Sequence, residues 1–315
     1  MQWIVQWTVD KVQRRKRIQG IVCMCLVGHG RCLNWPIDML VARAEIWLVT
    51  TEHILDYPRP SMPNVKLIGG TATGPGKPLP PQFKSFMDDA KEGVVIVSFD
   101  DYVLSLPKAI TQKIISVLQD LPFKSVFRSN ISSPNSKKIL TSSWIPQNDL
   151  LAHPNTRVFV SHCGKNGQYE ALFHAVPVVC TLLFLDQFYN AVRMRVKGMA
   201  ETVDLNTVST HELYSTILKV ATNTSDKQAI IKASELFKIE FGVPVEKAVY
   251  WLDHVMKYGG HHLRSSGHEV PFLQFSCLDV YAFLLACVLL ILMISVCLVY
   301  VAFNSCRSKS KGKIE

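Results

Sequence analysis

The stretch "FVSHCGKNGQYEALFHAVPVV", residues 159–179, leaves an apolar strand, crosses a glycine-bearing turn, forms a helix and enters a second apolar strand. Strand, crossover helix and strand in that order are the unit from which parallel sheets are built. Its turn, SHCGKNG, carries a histidine, a cysteine and an asparagine where a plain connector would carry serine or aspartate. Three readings compete for it: a metal site, a catalytic dyad, or a cradle for a phosphorylated ligand. The neighbouring segments decide between them.

Working outward, Gly93 to Phe99, "GVVIVSF", is an unbroken apolar run, as expected of a parallel strand covered on both faces. Residues 107–121 read as a helix, and 125–128, 138–143 and 157–161 as strands. A helix follows from about residue 168, then a strand over 177–183 and a helix over 187–197. Ser209-Thr-His-Glu212 is a capping box that opens a helix over 210–222. Alternating strands and helices predict an α/β fold with an open, Rossmann-like parallel sheet. Upstream, residues 43–70 hold strand-like runs broken by Pro58, Pro60 and Pro63, and "TATGPGKPLPP" (71–81) reads as a linker and domain boundary.

Ligands of such sheets bind at the carboxyl ends of the strands, beside helix N-termini. The turn 162–167 lies at such an end, where free backbone N–H groups and the positive end of the helix dipole suit a phosphate. Gly164 and Gly167 let the backbone approach closely, while His162 and Asn166 can donate hydrogen bonds. Metal binding is the weaker reading, because His162 and Cys163 are adjacent and further ligands would have to come from elsewhere.

The whole chain narrows the class. Its 315 residues are 48% hydrophobic, high for a soluble protein, and Val280 to Phe303 supply 24 residues without a charge. That length crosses a bilayer. Arg307, Lys309, Lys311 and Lys313 follow the span, whereas Glu269 and Asp279 precede it, which predicts a cytosolic tail and a luminal or extracellular main domain. The sequons Asn130-Ile-Ser and Asn223-Thr-Ser are compatible with that side. The net charge is +9, but five basic residues against Asp10 in 1–17 and four against Glu315 after Cys306 leave only +2 between them. No basic face remains for nucleic acid. Nine cysteines show no spacing that reads as a disulfide framework or zinc site, and only Cys163 and Cys180 fall in the main domain. The first thirty residues hold a basic run before a short apolar one, loosely like a signal peptide displaced inward, and alternatively an abnormal start.

With these segments in view, "SSWIPQNDLLAHPNTRVFVSHCGKNGQYEALFHAVPVVCTLLFLDQ" (142–187) closely resembles the signature of the UDP-glycosyltransferases, above all the animal UDP-glucuronosyltransferase group. The resemblance runs from residue 38 to 315 and takes in "YPRPSMPNVKLIGG", "RVKGMAETVDLNTVSTHEL", "AVYWLDHVMKYGGHHLR" and the anchor. It implies the C-terminal, donor-binding half of a two-domain GT-B glycosyltransferase. Its parts are an atypical segment 1–37, the end of an acceptor domain with linker 38–81, a donor-binding domain 82–276, a transmembrane helix 277–303 and a tail 304–315. By the same resemblance Trp144 stacks on uracil and Gln147 hydrogen-bonds the base. His162, Gly164, Asn166 and Gly167 hold the diphosphate, with Ser98 nearby. Glu170 takes the ribose hydroxyls, while Asp186 and Gln187 take hydroxyls of the sugar. Without the resemblance, Trp144 would be a core residue, Glu170 a solvated face and Asp186 a helix cap.

The implied reaction is transfer of a hexosyl group, glucuronic acid foremost, from a UDP-sugar to a small lipophilic acceptor with inversion. No cofactor or metal is implied, because fixed donors neutralise the leaving diphosphate. The tail's Lys311 and Lys313 resemble a dilysine retrieval signal, which implies a single-pass endoplasmic-reticulum protein with its domain in the lumen. Assembly with itself or with relatives is also in keeping with the family. Departures from the pattern bear on activity. Asp100 stands where Ser-Phe-Gly is usual, Cys163-Gly164 replaces Gly-Gly after the histidine, His174-Ala175 replaces His-Gly, and "GIPLF" has become Cys180-Thr181-Leu182-Leu183-Phe184. Family members carry a histidine base in an N-terminal domain; His29 lacks its surroundings and is not assigned that role. The rival reading is therefore an inactive, anchored member that binds and regulates a relative.

Overall fold

The computed structural model describes residues 44–99, 106–182, 186–268 and 270–311. The readings placed on residues 1–37, His29, Asp100, residues 183–185 and Lys313 lie outside the described residues. The chain divides into two compact units, one ending at Leu263 and the other beginning at Arg264.

The first unit is built on a six-stranded, all-parallel sheet of β3 (Val94–Ser98), β4 (Lys124–Arg128), β5 (Ile139–Ser142), β6 (Thr156–Ser161), β7 (Val178–Leu182) and β8 (Ala200–Asp204). Two short strands before it, β1 (Trp47–Val49) and β2 (Val65–Leu67), pair with each other in parallel. The helices in chain order are α1 (Pro81–Asp88), α2 (Lys108–Asp120), α3 (Gln147–Leu151), α4 (Lys165–Phe173), α5 (Gln187–Val196), α6 (Thr210–Thr222), α7 (Thr224–Phe241) and α8 (Pro244–Tyr258).

The apolar run of β3 does what its composition requires. Val94 and Ile96 point into a core shared with α1, α4, α5 and α7, where Phe83, Met87, Leu172, Met194 and Phe237 pack. Val95 and Val97 point the other way, toward Ile114, Val117 and Leu118 of α2 and Leu213, Ile217 and Val220 of α6. All four valine and isoleucine side chains are fully buried. Helices on both faces leave no room for a polar residue along the middle of the strand.

Strand order is β5-β4-β3-β6-β7-β8. The chain moves outward from β3 to β5, returns to the other side of β3, and moves outward again from β6 to β8. The direction reverses between β3 and β6, which leaves a crevice at the carboxyl ends of those two strands.

Local chemistry sets the helix ends. Ser209 caps α6 as expected, its hydroxyl accepting from the Glu212 amide at 3.1 Å. Helix α4 begins at Lys165, three residues before the expected start; Asn166 and Gly167, poor helix formers, conceal its first turn in the sequence. Helices α4 and α5 both end in Schellman motifs. In α5 the left-handed position is Gly198, at φ 69°, with Met199 N–H bonding Met194 C=O at 3.0 Å. In α4 the same position is Ala175, at φ 54°, with Val176 N–H bonding Ala171 C=O at 2.9 Å.

An alanine pays a steric cost there that glycine does not. Ala175→Gly is expected to stabilise the fold by about 0.5–1 kcal/mol, after allowance for the freer unfolded chain. Thermal unfolding would show this as a rise of about 2 °C, and an unchanged or lower midpoint would count against strain at residue 175.

The second unit is chiefly α10 (Leu278–Lys311), preceded by the single turn α9 (Phe272–Phe275). Leu278–Ala302, 25 residues with a mean hydropathy of 3.2, is long and apolar enough to cross a membrane.

Candidate functional site

Two hydroxyls mark the crevice. Ser98 ends β3 and lies in register with Ser161, which ends β6. Ser98 is 1% exposed, and its Oγ has no hydrogen-bond partner among the described residues. Buried hydroxyls are nearly always satisfied, so an orphan at a switch point points toward a missing ligand atom. Ser161 instead holds its own turn: its Oγ accepts from Cys163 N–H at 3.3 Å, and its carbonyl accepts from the Thr181 hydroxyl at 3.0 Å.

The turn after β6 brings the predicted cradle residues together. Gly164 is the N-cap of α4, with extended geometry at φ −62° and ψ 148°. His162 is half-buried, and its ring lies against Gly164: a Cβ there would stand 2.3 Å from Nε2. Gly167 is buried close over β6, where an added Cβ would meet the Phe159 ring at 3.2 Å. Asn166 is exposed in the first turn of α4, beside the helix's unsatisfied amides. Lys165, which sequence reasoning passed over, is half-buried in that same turn; burial draws its ammonium pKa down.

On one flank, Trp144 is 60% exposed just ahead of α3, its carbonyl accepting from the Ser142 hydroxyl at 2.6 Å. A tryptophan so open to solvent is not a core residue, and its flat face is free to stack. Gln147, the first residue of α3, donates through its side-chain amide to Glu170 on α4. On the other flank, beyond β7, Asp186 and Gln187 stand at the head of α5. Asp186 has helical geometry, φ −73° and ψ −6°, and makes no cap; it is exposed and accepts from Asn190 Nδ2 at 2.9 Å. Gln187 is buried. All ten predicted site residues therefore follow the carboxyl ends of β3, β5, β6 and β7.

Three features carry no clear signal in the sequence. Cys163, at φ 62°, is disulfide-bonded to Cys180 on β7, their Cα atoms 5.2 Å apart; a hint was that these two cysteines alone fall in the main domain. Arg193 on α5 is 2% exposed and pairs with Asp56, while its Nη2 donates to Gln168 Oε1 at 2.6 Å. Lys197, one turn on, donates to the Ile54 and Asp56 carbonyls. Residues 51–56 are thus fastened to α5 and its C-terminal end, the helix that Asp186 immediately precedes. Burial pushes the Glu52 carboxyl up in pKa, although the Leu55 and Ile54 amides oppose it. Finally, His174 Nε2 lies 3.0 Å from Asn148 Oδ1, and burial, helped by Lys238, holds its pKa down at about 4. The imidazole is neutral at physiological pH. Asn148 also donates to Gly74 C=O at 3.1 Å, which ties the 71–80 linker to α3 and α4.

Chemically, this edge offers backbone amides and a free hydroxyl for an anion, a flat aromatic face for a base, and carboxylates for sugar hydroxyls. Residues 33–313 match a family model described as UDP-glucoronosyl and UDP-glucosyl transferase. UDP-glucuronosyltransferase 2B15 of Homo sapiens is 35% identical over 291 residues, which are 90% of this chain and 55% of the relative. The 2-hydroxyacylsphingosine 1-beta-galactosyltransferase of Rattus norvegicus is 39% identical over 263 residues, 81% of this chain and 48% of the relative. The chain thus spans about half the length of the curated relatives it matches. Among solved structures, the glycotransferase of kitacinnamycin aligns with a TM-score of 0.56 at 19% identity, over 80% of this chain and 66% of that one. A UDP-glucosyltransferase from Polygonum tinctorium gives 0.56 at 20% identity, over 69% and 55%.

Proposed function

Because this chain belongs to the UDP-glucuronosyl and UDP-glucosyl transferase family and shares its fold with solved glycosyltransferases, we propose that it is the nucleotide-sugar half of such an enzyme and binds a UDP-sugar at the β3–β6 crevice. The sugar is then transferred, with inversion, to a small lipophilic acceptor. The single observation that carries this reading is the assembly of the cradle: the orphan Ser98 hydroxyl, the 162–167 turn and the first amides of α4 converge on one switch point. Trp144 takes the uracil face with Gln147 beside it, Glu170 the ribose, and Asp186 and Gln187 the sugar. Backbone N–H groups aimed at the leaving diphosphate stabilise developing charge without reorganising, so a metal is not needed for that step. Acceptor deprotonation falls to a base beyond the described site. For the sugar, glucuronic acid is the first choice and galactose its competitor, in line with the two kinds of transferase it is similar to.

Calorimetry on the full chain in detergent micelles tests this reading. UDP is expected to bind at least tenfold more tightly than uridine, since one charge-assisted contact is worth roughly 1.5–3 kcal/mol. The preference should survive a chelator. Equal, feeble binding of both would dismiss the donor site and leave the inactive, anchored partner as the better account.

The apolar α10 supports a further part of the proposal: a single-pass anchor in the endoplasmic-reticulum membrane, with the sheet-bearing unit in the lumen and the basic end in the cytosol. In sealed microsomes residues 44–263 should resist added protease until the vesicles are opened. Digestion in intact vesicles would reverse the orientation.

A further inference from the structure

We propose that the Cys163–Cys180 disulfide is the positioning element of the donor cradle, a latch that holds the 162–167 turn in its ligand-ready shape when closed and releases it when opened. Both cysteines are buried, at 1% and 0% exposure. Cys163 is flanked by His162 and Gly164, and Cys180 lies in register with Ser161 on the adjacent strand. The bond therefore joins the turn to the strand directly beside it. Among the described residues, the tie that would remain to Cys163 without it is the 3.3 Å hydrogen bond from its amide to Ser161 Oγ.

Backbone geometry gives the bond something to hold. Cys163 sits at φ 62°, a region where glycine is at ease and a residue with a Cβ is not. Cysteine at 163 stands where the resembling family has the first glycine after its histidine, and cysteine at 180 where it has the glycine of "GIPLF". Taken singly, each change fills a small position with an awkward side chain. Taken together they form one covalent tie, and the tie supplies the restraint that keeps a non-glycine residue left-handed. Two separate departures in the sequence are a single structural device.

The chemistry balances by thiol–disulfide exchange. Oxidised glutathione, or an equivalent disulfide, gives up its S–S bond as the Sγ–Sγ bond forms; its two sulfurs leave as thiols with the two protons and two electrons of Cys163 and Cys180. Such bonds persist in oxidising compartments, in keeping with a luminal domain. Buried sulfurs are poorly accessible to an attacking thiolate, so the native latch opens slowly.

The test uses the full chain in micelles. Tandem mass spectrometry of a non-reduced digest should show the peptides containing Cys163 and Cys180 linked. Hydrogen exchange across 162–170 should quicken at least tenfold when dithiothreitol opens the bond. The double variant C163G/C180G should be indifferent to the reductant, since glycine needs no latch at a left-handed position. UDP affinity rests on the function proposed above, and should fall about tenfold on reduction in the wild type alone. Unlinked peptides in the wild-type digest would overturn the proposal, as would linked peptides whose reduction leaves exchange at 162–170 unchanged. A latch that opens and quickens exchange while UDP binds neither form would uphold the latch and refute the donor-site reading.

Discussion

Replacing Arg193 by alanine will lower the unfolding free energy by roughly 3–5 kcal/mol, because it strips the counter-charge from a buried carboxylate. Asp56 is 5% exposed and Arg193 2% exposed, so little water is at hand to compensate. Burial pulls the Asp56 carboxyl upward, yet the Thr51 hydroxyl and the Arg193 guanidinium outweigh it and hold its pKa below the ordinary value. A depressed carboxyl contributes stability that is present above its unfolded pKa of about 3.9 and lost as pH falls through the folded value. The gap between wild type and variant should accordingly be widest near neutrality and close below about pH 4. In thermal unfolding the neutral-pH gap corresponds to about 10 °C for a domain of this size.

A paired substitution separates charge from packing. Asp56→Leu with Arg193→Met should recover most of the loss, as buried ion pairs replaced by apolar groups of similar volume are often neutral. An Arg193→Ala protein that melts with the wild type would mean that Arg59, whose Nη2 is 4.0 Å from Asp56, had taken over. The clamp between residues 51–56 and α5 would then be dismissed.

His162→Ala is expected to weaken UDP by about tenfold to a hundredfold while leaving uridine nearly unchanged, the loss of one charge-assisted contact of roughly 1.5–3 kcal/mol. Its half-buried ring packs on Gly164 at the mouth of α4, where the proposal places the diphosphate and not the base. Trp144→Ala supplies the contrast. Stacking contributes to UDP and uridine alike, at about 1–3 kcal/mol per base, so both should weaken together. Titrations of the two ligands against the two variants give four ratios. A His162→Ala protein that loses uridine as severely as UDP would move the histidine from the phosphate to the base or to the fold.

How far the sequence foretells these features depends on the range over which each is set. The β3 run was legible because burial on both faces forbids polar residues, and "GVVIVSF" has none until its end. The α6 N-cap was legible because the Ser209 hydroxyl takes the Glu212 amide within one turn. β8 was not read: "AETVD" lies at the sheet's edge, where only Ala200 and Val203 are buried and the apolar signal thins. The start of α4 was hidden by Asn166 and Gly167, both poor helix formers. The candidate positions from Trp144 to Gln187 cluster after strand ends in one contiguous signature, and Ser98 lies outside it at the end of β3. Asp56 and Arg193, 137 positions apart, meet only through the fold. Cys163 and Cys180, one on a turn and one on the next strand, likewise show their partnership only when β7 lies down beside β6.

The reversal of strand order has a practical corollary for anyone wishing to attach a reporter. Every loop of the proposed donor site lies at the carboxyl edge of the sheet, so the opposite edge, where helices hand the chain back to strands, suits handles. Lys91 and Glu92 are exposed on the loop that enters β3. From Val94 at its start to Ser98 at its end that strand spans four residue steps, about 13 Å at about 3.3 Å per residue. A fluorophore or immobilisation tag at Lys91 would orient the molecule with its crevice facing the solution.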